Sequence, residues 1–363
     1  MTTQQKALHT VCDVIMGQAP SGDSYNSDGN GVPLIAGAGD FGAIHPEVKK
    51  FTTVPTKIGI AGDIILGIRA SIGAKVVADR DYCLGRGVAA LRPKPQLSER
   101  YLWHWLDEIQ AELISKARGA TFLQVNRQDI RDLEIPLPPL AEQKRIAGIL
   151  DAADALRAKR RAALAQLDAL AQSLFLDLFG DPVTNPKGWE KASLGEVSEF
   201  ITGYPFKSGE YSDNDKSIRL CRGANILPGR IDWSDLACWP ENRIAEVARY
   251  SLAPGDIVMA MDRPWISEGF KIAQVKPEHC PSLLVQRVAR IRGGKRLLNA
   301  FAYATLRHQA FTRHCRPTET TVPHISPKDI RGFEFPLPPL PLQKQFAAAV
   351  EAIERQKVRH REQ

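Results

Sequence analysis

From Leu140 to Phe179 apolar residues recur with a helical period. Ile146, Ala153, Leu167 and Leu174 share one heptad position, and Ile149, Leu156, Ala163 and Leu170 share another. Leu150, Leu164, Ala171 and Leu178 widen the stripe, and no Gly or Pro interrupts Ile149 to Phe179. The pattern predicts one helix of about 39 residues, roughly 58 Å long at ~1.5 Å per residue. Arg157, Lys159, Arg160 and Arg161 cluster at its middle. They read as a solvated face more readily than as phosphate contacts, and Arg160, on an otherwise apolar heptad position, suits a register-setting role. The periodicity resumes with Phe346, Val350, Ile353 and Lys357 in a second helix of about 24 residues. Two amphipathic helices of one origin pack most economically as an antiparallel coiled coil.

Outside these stretches the pattern is mainly β. Gly62 to Ile68 and Lys75 to Val77 read as strands, as do Asp256 to Ala260 and Leu283 to Ile291. Ser98 to Ala117 and Ala300 to Thr312 read as helices. Gly180 to Trp189 is rich in Gly, Pro and Asn and ends the long helix. The expected fold class is α+β, with two globular domains separated by long helices that pair as an antiparallel coiled coil. The expected boundaries are 1–138 for the first domain, 139–180 for the central helix, 181–338 for the second domain and 339–363 for the last helix.

The domains arose by duplication. Residues 129–140 read DIRDLEIPLPPL and residues 329–340 read DIRGFEFPLPPL, identical at nine of twelve positions with an offset of 200. The match continues through Gln143-Lys144 and Gln343-Lys344. A weaker echo sets Ala61-Gly62-Asp63-Ile64 against Pro254-Gly255-Asp256-Ile257, at an offset of 193. Prolines fix φ and cannot continue a helix interior. An extended segment carrying Leu133, Ile135 and Leu137 therefore stops at Pro138-Pro139, where a helix begins with Glu142 near its positive end. A proline-rich ligand for another protein's groove is the weaker alternative, because the intervening residues are apolar enough to be buried.

Forty-eight Lys+Arg against 41 Asp+Glu give a net charge of +7. That suits a polyanionic partner without proving one. Six cysteines without a CxxC pair fit a reducing compartment and argue against a disulfide framework or zinc site. The N-terminus lacks a signal-peptide pattern, and no apolar run approaches the ~18 residues of a membrane span. The expectation is cytoplasmic, with no membrane partner.

Catalytic chemistry is hard to find. Gly37-Ala38-Gly39-Asp40-Phe41-Gly42 fits G-x-G-x-x-G, but Pro46 would interrupt the helix that a nucleotide site needs. Asn185-Pro186-Lys187-Gly188 lacks the aromatic that would hold a flipped base in an aminomethyltransferase. Glu47-Val48-Lys49 lacks its nuclease counterpart, and there is no P-loop. His279-Cys280 and His314-Cys315 have no second pair at ligand spacing. We expect no catalytic residues, no metal and no cofactor.

Basic, polar and aromatic loop residues do recur in both halves. The candidate DNA contacts are Arg69, Ser71, Lys75, Arg86, Arg118, Thr121 and Gln124 in the first. In the second they are Tyr204, Lys207, Arg222, Asn225, Arg263, Trp265, Lys271, Thr320, Thr321 and His324. Arg, Gln and Asn can grip base edges bidentately. Each singly is more often a plain surface group; the recurrence is what marks the set.

At the proline segment the chain resembles the specificity subunits of type I restriction–modification systems. The carriers are Asp129-Ile130, Pro136 to Leu140, Glu142 to Ile146, Leu178-Phe179-Gly180-Asp181-Pro182, and Asn185 to Trp189, with Phe335 to Leu340 and Gln343-Lys344 in the second copy. Gly62-Asp63-Ile64 with Arg69 to Gly73 is similar to the family's loop after a strand. The resemblance implies two target recognition domains, each reading half of a split sequence in double-stranded DNA, with paired helices as a ruler. It implies partners: two modification (methyltransferase) subunits that methylate adenine N6 with S-adenosylmethionine, and ATP-driven restriction/translocase subunits. The last helix departs from the pattern, being short and lacking the Leu-Phe-Gly-Asp-Pro closure, so the second spacer is either short or truncated. Alternatives are a coiled-coil scaffold that never touches bases, or the specificity subunit of another methylation-linked phage-defence system.

Overall fold

The computed structural model describes residues 4–119, 123–212, 217–315 and 323–362. The chain divides into two compact units, Met1–Lys159 and Arg160–Gln363.

The first unit is built on an antiparallel sheet in the order Cys12–Met16, Val88–Pro93, Ile64–Gly67, Lys75–Val77. Its central strands are apolar over Val88–Leu91 and Ile64–Leu66 because both faces are covered there. Ile64, Leu66, Ala89 and Leu91 point to one core with Leu102, Trp105 and Leu106 of the helix Glu99–Glu108. Ile65, Val88 and Ala90 point to the other, with Ile35, Tyr82 and Leu84. Those three belong to a small sheet in which Val32–Ile35 runs parallel to Tyr82–Leu84.

The second unit repeats the plan with Ser198–Thr202, Val288–Gly293, Ile257–Ala260 and Ile272–Gln274. Ile257, Met259, Ala289 and Ile291 face the helix Asn299–Arg307, whereas Val258, Ala260 and Val288 face the opposite core. Both helices expected from the pattern are broken once, after Glu108 and after Arg307.

The repeated segment is an assembly of small devices. Asp129 closes a capping box with Asn126 on the helix Arg127–Arg131, and Asp329 accepts from the Ser326 hydroxyl that caps Pro327–Arg331. Ile130 and Ile330 are buried beneath these turns. Glu134–Pro136 then pairs with the N-terminal strand Gln5–Ala7, and Glu334–Pro336 pairs with Lys191–Ser193 in the same register.

Leu140–Phe179 is a single helix of 40 residues. In the first unit its Asp151 receives Arg100 and His104 from Glu99–Glu108. In the second unit Phe175 and Phe179 enter the core, with ring centroids 5.7 and 5.4 Å from Phe346. Phe346 lies near the start of the last helix, Leu340–Glu362, while Lys357 near its end reaches Asp168 at 2.7 Å. These contacts run antiparallel.

An 18-residue window of Leu140–Phe179 reaches a mean hydropathy of 1.3, so by length and composition alone this helix could cross a membrane. The value comes from Ala and Leu on several faces of the helix, interrupted by charged residues and not joined in one unbroken apolar run. The apolar stripe is also not fully covered. Ile149, Leu156 and Leu170, all on one heptad position, are 56, 62 and 52% exposed.

Burial pulls the Lys357 pKa down, but hydrogen bonds to Asp168 and Glu354 outweigh it and raise the pKa above the ordinary value. A raised folded-state pKa gives stability that is complete below the unfolded value, ~10.4, and lost as pH climbs through the folded value. Lys357→Met should therefore abolish an alkaline loss of stability that the wild type shows above about pH 10.4. Urea unfolding at neutral and alkaline pH measures this, and equal alkaline sensitivity in both proteins would refute it.

Candidate nucleic-acid interface

In the first unit the C-terminal ends of Val32–Ile35 and Ile64–Gly67 meet the start of Val88–Pro93. The loops that follow surround a shallow cleft of about 390 Å³ lined by Tyr25, Gly37, Ala38, Arg69, Ser71 and Arg86 among others. Gly85 and Gly87 flank Arg86 because the backbones touch there: a Cβ on Gly87 would lie 2.4 Å from the Ala36 carbonyl oxygen. Arg86 is thereby presented outward from a tightly held turn, and it is exposed.

Arg69 donates from Nε to Oε1 of Gln124 at 2.7 Å, and the two residues bridge through their backbones. Neither Arg69 nor Arg86 has a carboxylate partner among the described residues. Ser71 is exposed on the same rim. Arg118 is exposed and pairs with Asp129 at 3.3 Å. Gly37-Ala38-Gly39-Asp40 forms one tight turn with no helix after it, where Asp40 Oδ2 accepts from the Ala36 amide at 2.8 Å. The loop that fits G-x-G-x-x-G thus becomes a wall of the cleft.

Lys75 lies elsewhere. Its side chain is only 6% exposed, pairs with Asp107 and sits 4.5 Å above the Trp103 ring, so its charge anchors a helix.

The corresponding face of the second unit differs in charge. Arg222 donates to the Asp235 carbonyl and pairs with its carboxylate at 3.0 Å. Asn225 is fully buried. Its Oδ1 accepts from the Arg222 amide and its Nδ2 donates to the carbonyls of Asp232 and Asp235, so its polar atoms are consumed in shaping the loop. His324 meets Asp262 at 2.5 Å, and Arg287 reaches the same carboxylate at 3.4 Å. Arg263 is exposed with φ of 45°.

Tyr204 is exposed and packs edge-on to Phe206, and Lys207 is exposed nearby. Trp265 packs 5.0 Å from Phe270 in a short hairpin and is only half-exposed. Lys271 is buried, and burial, assisted by the Arg263 charge, lowers its pKa. Thr121, Thr320 and Thr321 lie outside the described residues.

Asp262 and Arg287 are not among the candidate DNA contacts, although Asp262 belongs to the same loop as Arg263 and Trp265. The offset of 193 was the available signal, because it places Asp262 opposite Arg69. The two His-Cys dipeptides are structural: His279 Nδ1 accepts from the Lys276 amide, and His314 Nε2 donates to the Asp329 carbonyl. Burial first of all pushes the Cys315 thiol up to about 12.

A family model described as the type I restriction modification DNA specificity domain matches residues 2–166 and 186–363. Curated relatives include the type I restriction enzyme EcoAI specificity subunit of Escherichia coli, 34% identical over 174 residues, covering 47% of this chain and 29% of the relative. The MjaVIII specificity subunit of Methanocaldococcus jannaschii is 27% identical over 324 residues, covering 84% of this chain and 76% of the relative. The chain therefore spans less than a third of the first relative and about three quarters of the second. Among solved structures, a type I restriction-modification S subunit from M. genitalium aligns over 99% of this chain and 91% of its own, with 16% identity and a TM-score of 0.61. That last likeness concerns the fold alone.

Proposed function

The chain belongs to the type I restriction modification DNA specificity family, and on that premise we propose that it is the non-catalytic subunit that reads a two-part DNA target. Each globular domain, 1–138 and 181–338, reads one half-site. The central and last helices pair as an antiparallel coiled coil, set the gap between half-sites and dock two adenine-N6 methyltransferase subunits. Restriction/translocase subunits join in the full complex, and catalysis belongs to the partners, in the cytoplasm.

One observation carries the reading. The two units share a backbone frame but display different side chains at its loop-bearing end, as duplicated readers of unlike sequences must. The uncovered Ile149, Leu156 and Leu170 stripe adds a surface on which a partner subunit can rest.

Exchanging residues 1–135 for those of a relative should change one half of the methylated sequence and leave the other intact. Methylome sequencing reads this directly. A change in both halves, or in neither, would sink the two-reader reading. A purified complex with no preference over random DNA would instead favour the scaffold.

A further inference from the structure

One position in the fold occurs twice with opposite chemistry. In the first unit the Ile68 amide donates to the Gly87 carbonyl at 3.0 Å, and the Val125 amide donates to the Ile68 carbonyl at 3.0 Å. In the second unit Met261 donates to Arg287 at 2.9 Å, and Ile325 donates to Met261 at 2.9 Å. The next residue in each chain segment bridges to a loop: Arg69 to Gln124, and Asp262 to His324. The residue after that is left-handed in both, with φ of 50° at Ala70 and 45° at Arg263. The pair Arg69–Gln124 therefore occupies the same place as the pair Asp262–His324.

The side chains differ in what they leave free. Arg69 spends Nε on Gln124, which fixes the guanidinium plane and, among the described residues, leaves two terminal nitrogens as a fork. That fork matches O6 and N7 of guanine. Asp262 Oδ1 takes His324 Nδ1 and Arg287 Nη1. An ionised carboxylate only accepts, so Nδ1 carries the proton, and among the described residues Asp262 Oδ2 has no donor and stays open as an acceptor. An open carboxylate oxygen suits the exocyclic amino group of cytosine or adenine.

We infer that these two pairs are base selectors, resting on the DNA-reading function proposed above. Arg69, held by Gln124, selects guanine in the half-site of the first domain. Asp262, held by His324, selects an amino-bearing base in the other half-site.

The test uses the full chain assembled with its methyltransferase subunits, with sequencing of N6-methyladenine sites. Arg69→Ala should relax one guanine position of one half-site, with discrimination there falling about 10- to 100-fold and the other half-site unchanged. Asp262→Asn should do the same at one amino-bearing position of the opposite half-site. Arg69→Lys keeps the charge without the fork, so full selectivity in that variant would overturn the assignment. So would an unchanged motif in Arg69→Ala, or a wild-type first half-site made only of A·T pairs. If Arg69→Ala stops methylation altogether, competition binding with altered half-sites decides. Loss of guanine preference in one half supports the inference, and a uniform loss of affinity overturns it. A wild-type complex with no two-part motif would instead defeat the proposed function itself.

Discussion

Arg92→Ala should destabilise the first domain by about 3–5 kcal/mol, more than the ~2–3 kcal/mol of Asp63→Ala. The pair is bidentate, with Arg92 Nε to Asp63 Oδ1 and Nη2 to Oδ2 both at 2.8 Å, but its members are unequally placed. Asp63 is 2% exposed, whereas Arg92 keeps 35% of its side chain in water. Removing the arginine strands a buried carboxylate; removing the aspartate leaves a cation that water can still reach. Asp63 also accepts from the Ile60 amide at 2.9 Å, closing the turn in which Gly62 is left-handed. The second domain repeats this with Asp256, Arg292, the Ala253 amide and Gly255. There the buried Arg290 lies within the electrostatic reach of Asp256, so Arg292→Ala should cost less than Arg92→Ala. Guanidinium unfolding of the three variants gives the order directly. Equal losses for Arg92→Ala and Asp63→Ala would refute the argument from burial. The consequence for the candidate interface is local: these turns launch the strands Ile64–Gly67 and Ile257–Ala260, two residues beyond which stand Arg69 and Asp262.

The long helix was legible because its apolar period runs unbroken for many turns, and Ile64–Gly67 and Ile257–Ala260 were legible as short apolar runs behind a turn. The duplicated frame was legible at Asp129, Gln143 and Asp63, whose partners are backbone atoms or an arginine at a matching site. What could not be read is what depends on long-range pairing. Gln5–Ala7 has no strand signature of its own and is ordered by Glu134–Pro136, some 130 positions away. The small sheet carrying Val32–Ile35 is assembled from two- to four-residue strands too short to show a period. At the candidate interface, Arg69 and Gln124 were singled out separately, but nothing local says that they touch. Lys75 and Asn225 looked like DNA-facing groups because their partners, Asp107 with Trp103 and the Asp232 loop, are distant or carry no recognisable pattern. Exposure was the missing variable, and only packing supplies it.

Gln343→Leu should cost about 3–4 kcal/mol, and Gln143→Leu a similar amount, although each substitution preserves most of the side-chain volume. Gln143 is fully buried. Its Oε1 accepts from the Ser98 amide at 2.8 Å, and its Nε2 donates to the carbonyls of Gln96 and Pro138 at 3.0 and 2.9 Å. Gln343 makes the same three bonds, to Leu298, Arg296 and Pro338, at 2.8, 3.0 and 2.8 Å. One amide thus ties the first turn of a long helix, Leu140–Phe179 or Leu340–Glu362, to the loop that starts the helix Glu99–Glu108 or Asn299–Arg307. This is a physical reason for the repeat to extend past the prolines to Gln-Lys. Leucine would leave one buried donor and two acceptors without partners. Gln343→Glu separates the bonds. The carboxylate can still accept from Leu298, but it would face the carbonyls of Arg296 and Pro338 without a proton to donate. Burial and those carbonyls must raise its folded-state pKa above the ~4.3 of an unfolded chain. A raised carboxyl pKa means that the folded state holds the proton more tightly, so stability relative to wild type should recover as pH falls from 7 towards 4. Gln343→Leu should show no such recovery. Urea unfolding of both variants across that range is decisive: a pH-independent penalty in Gln343→Glu would mean that the joint depends on shape and not on its hydrogen bonds.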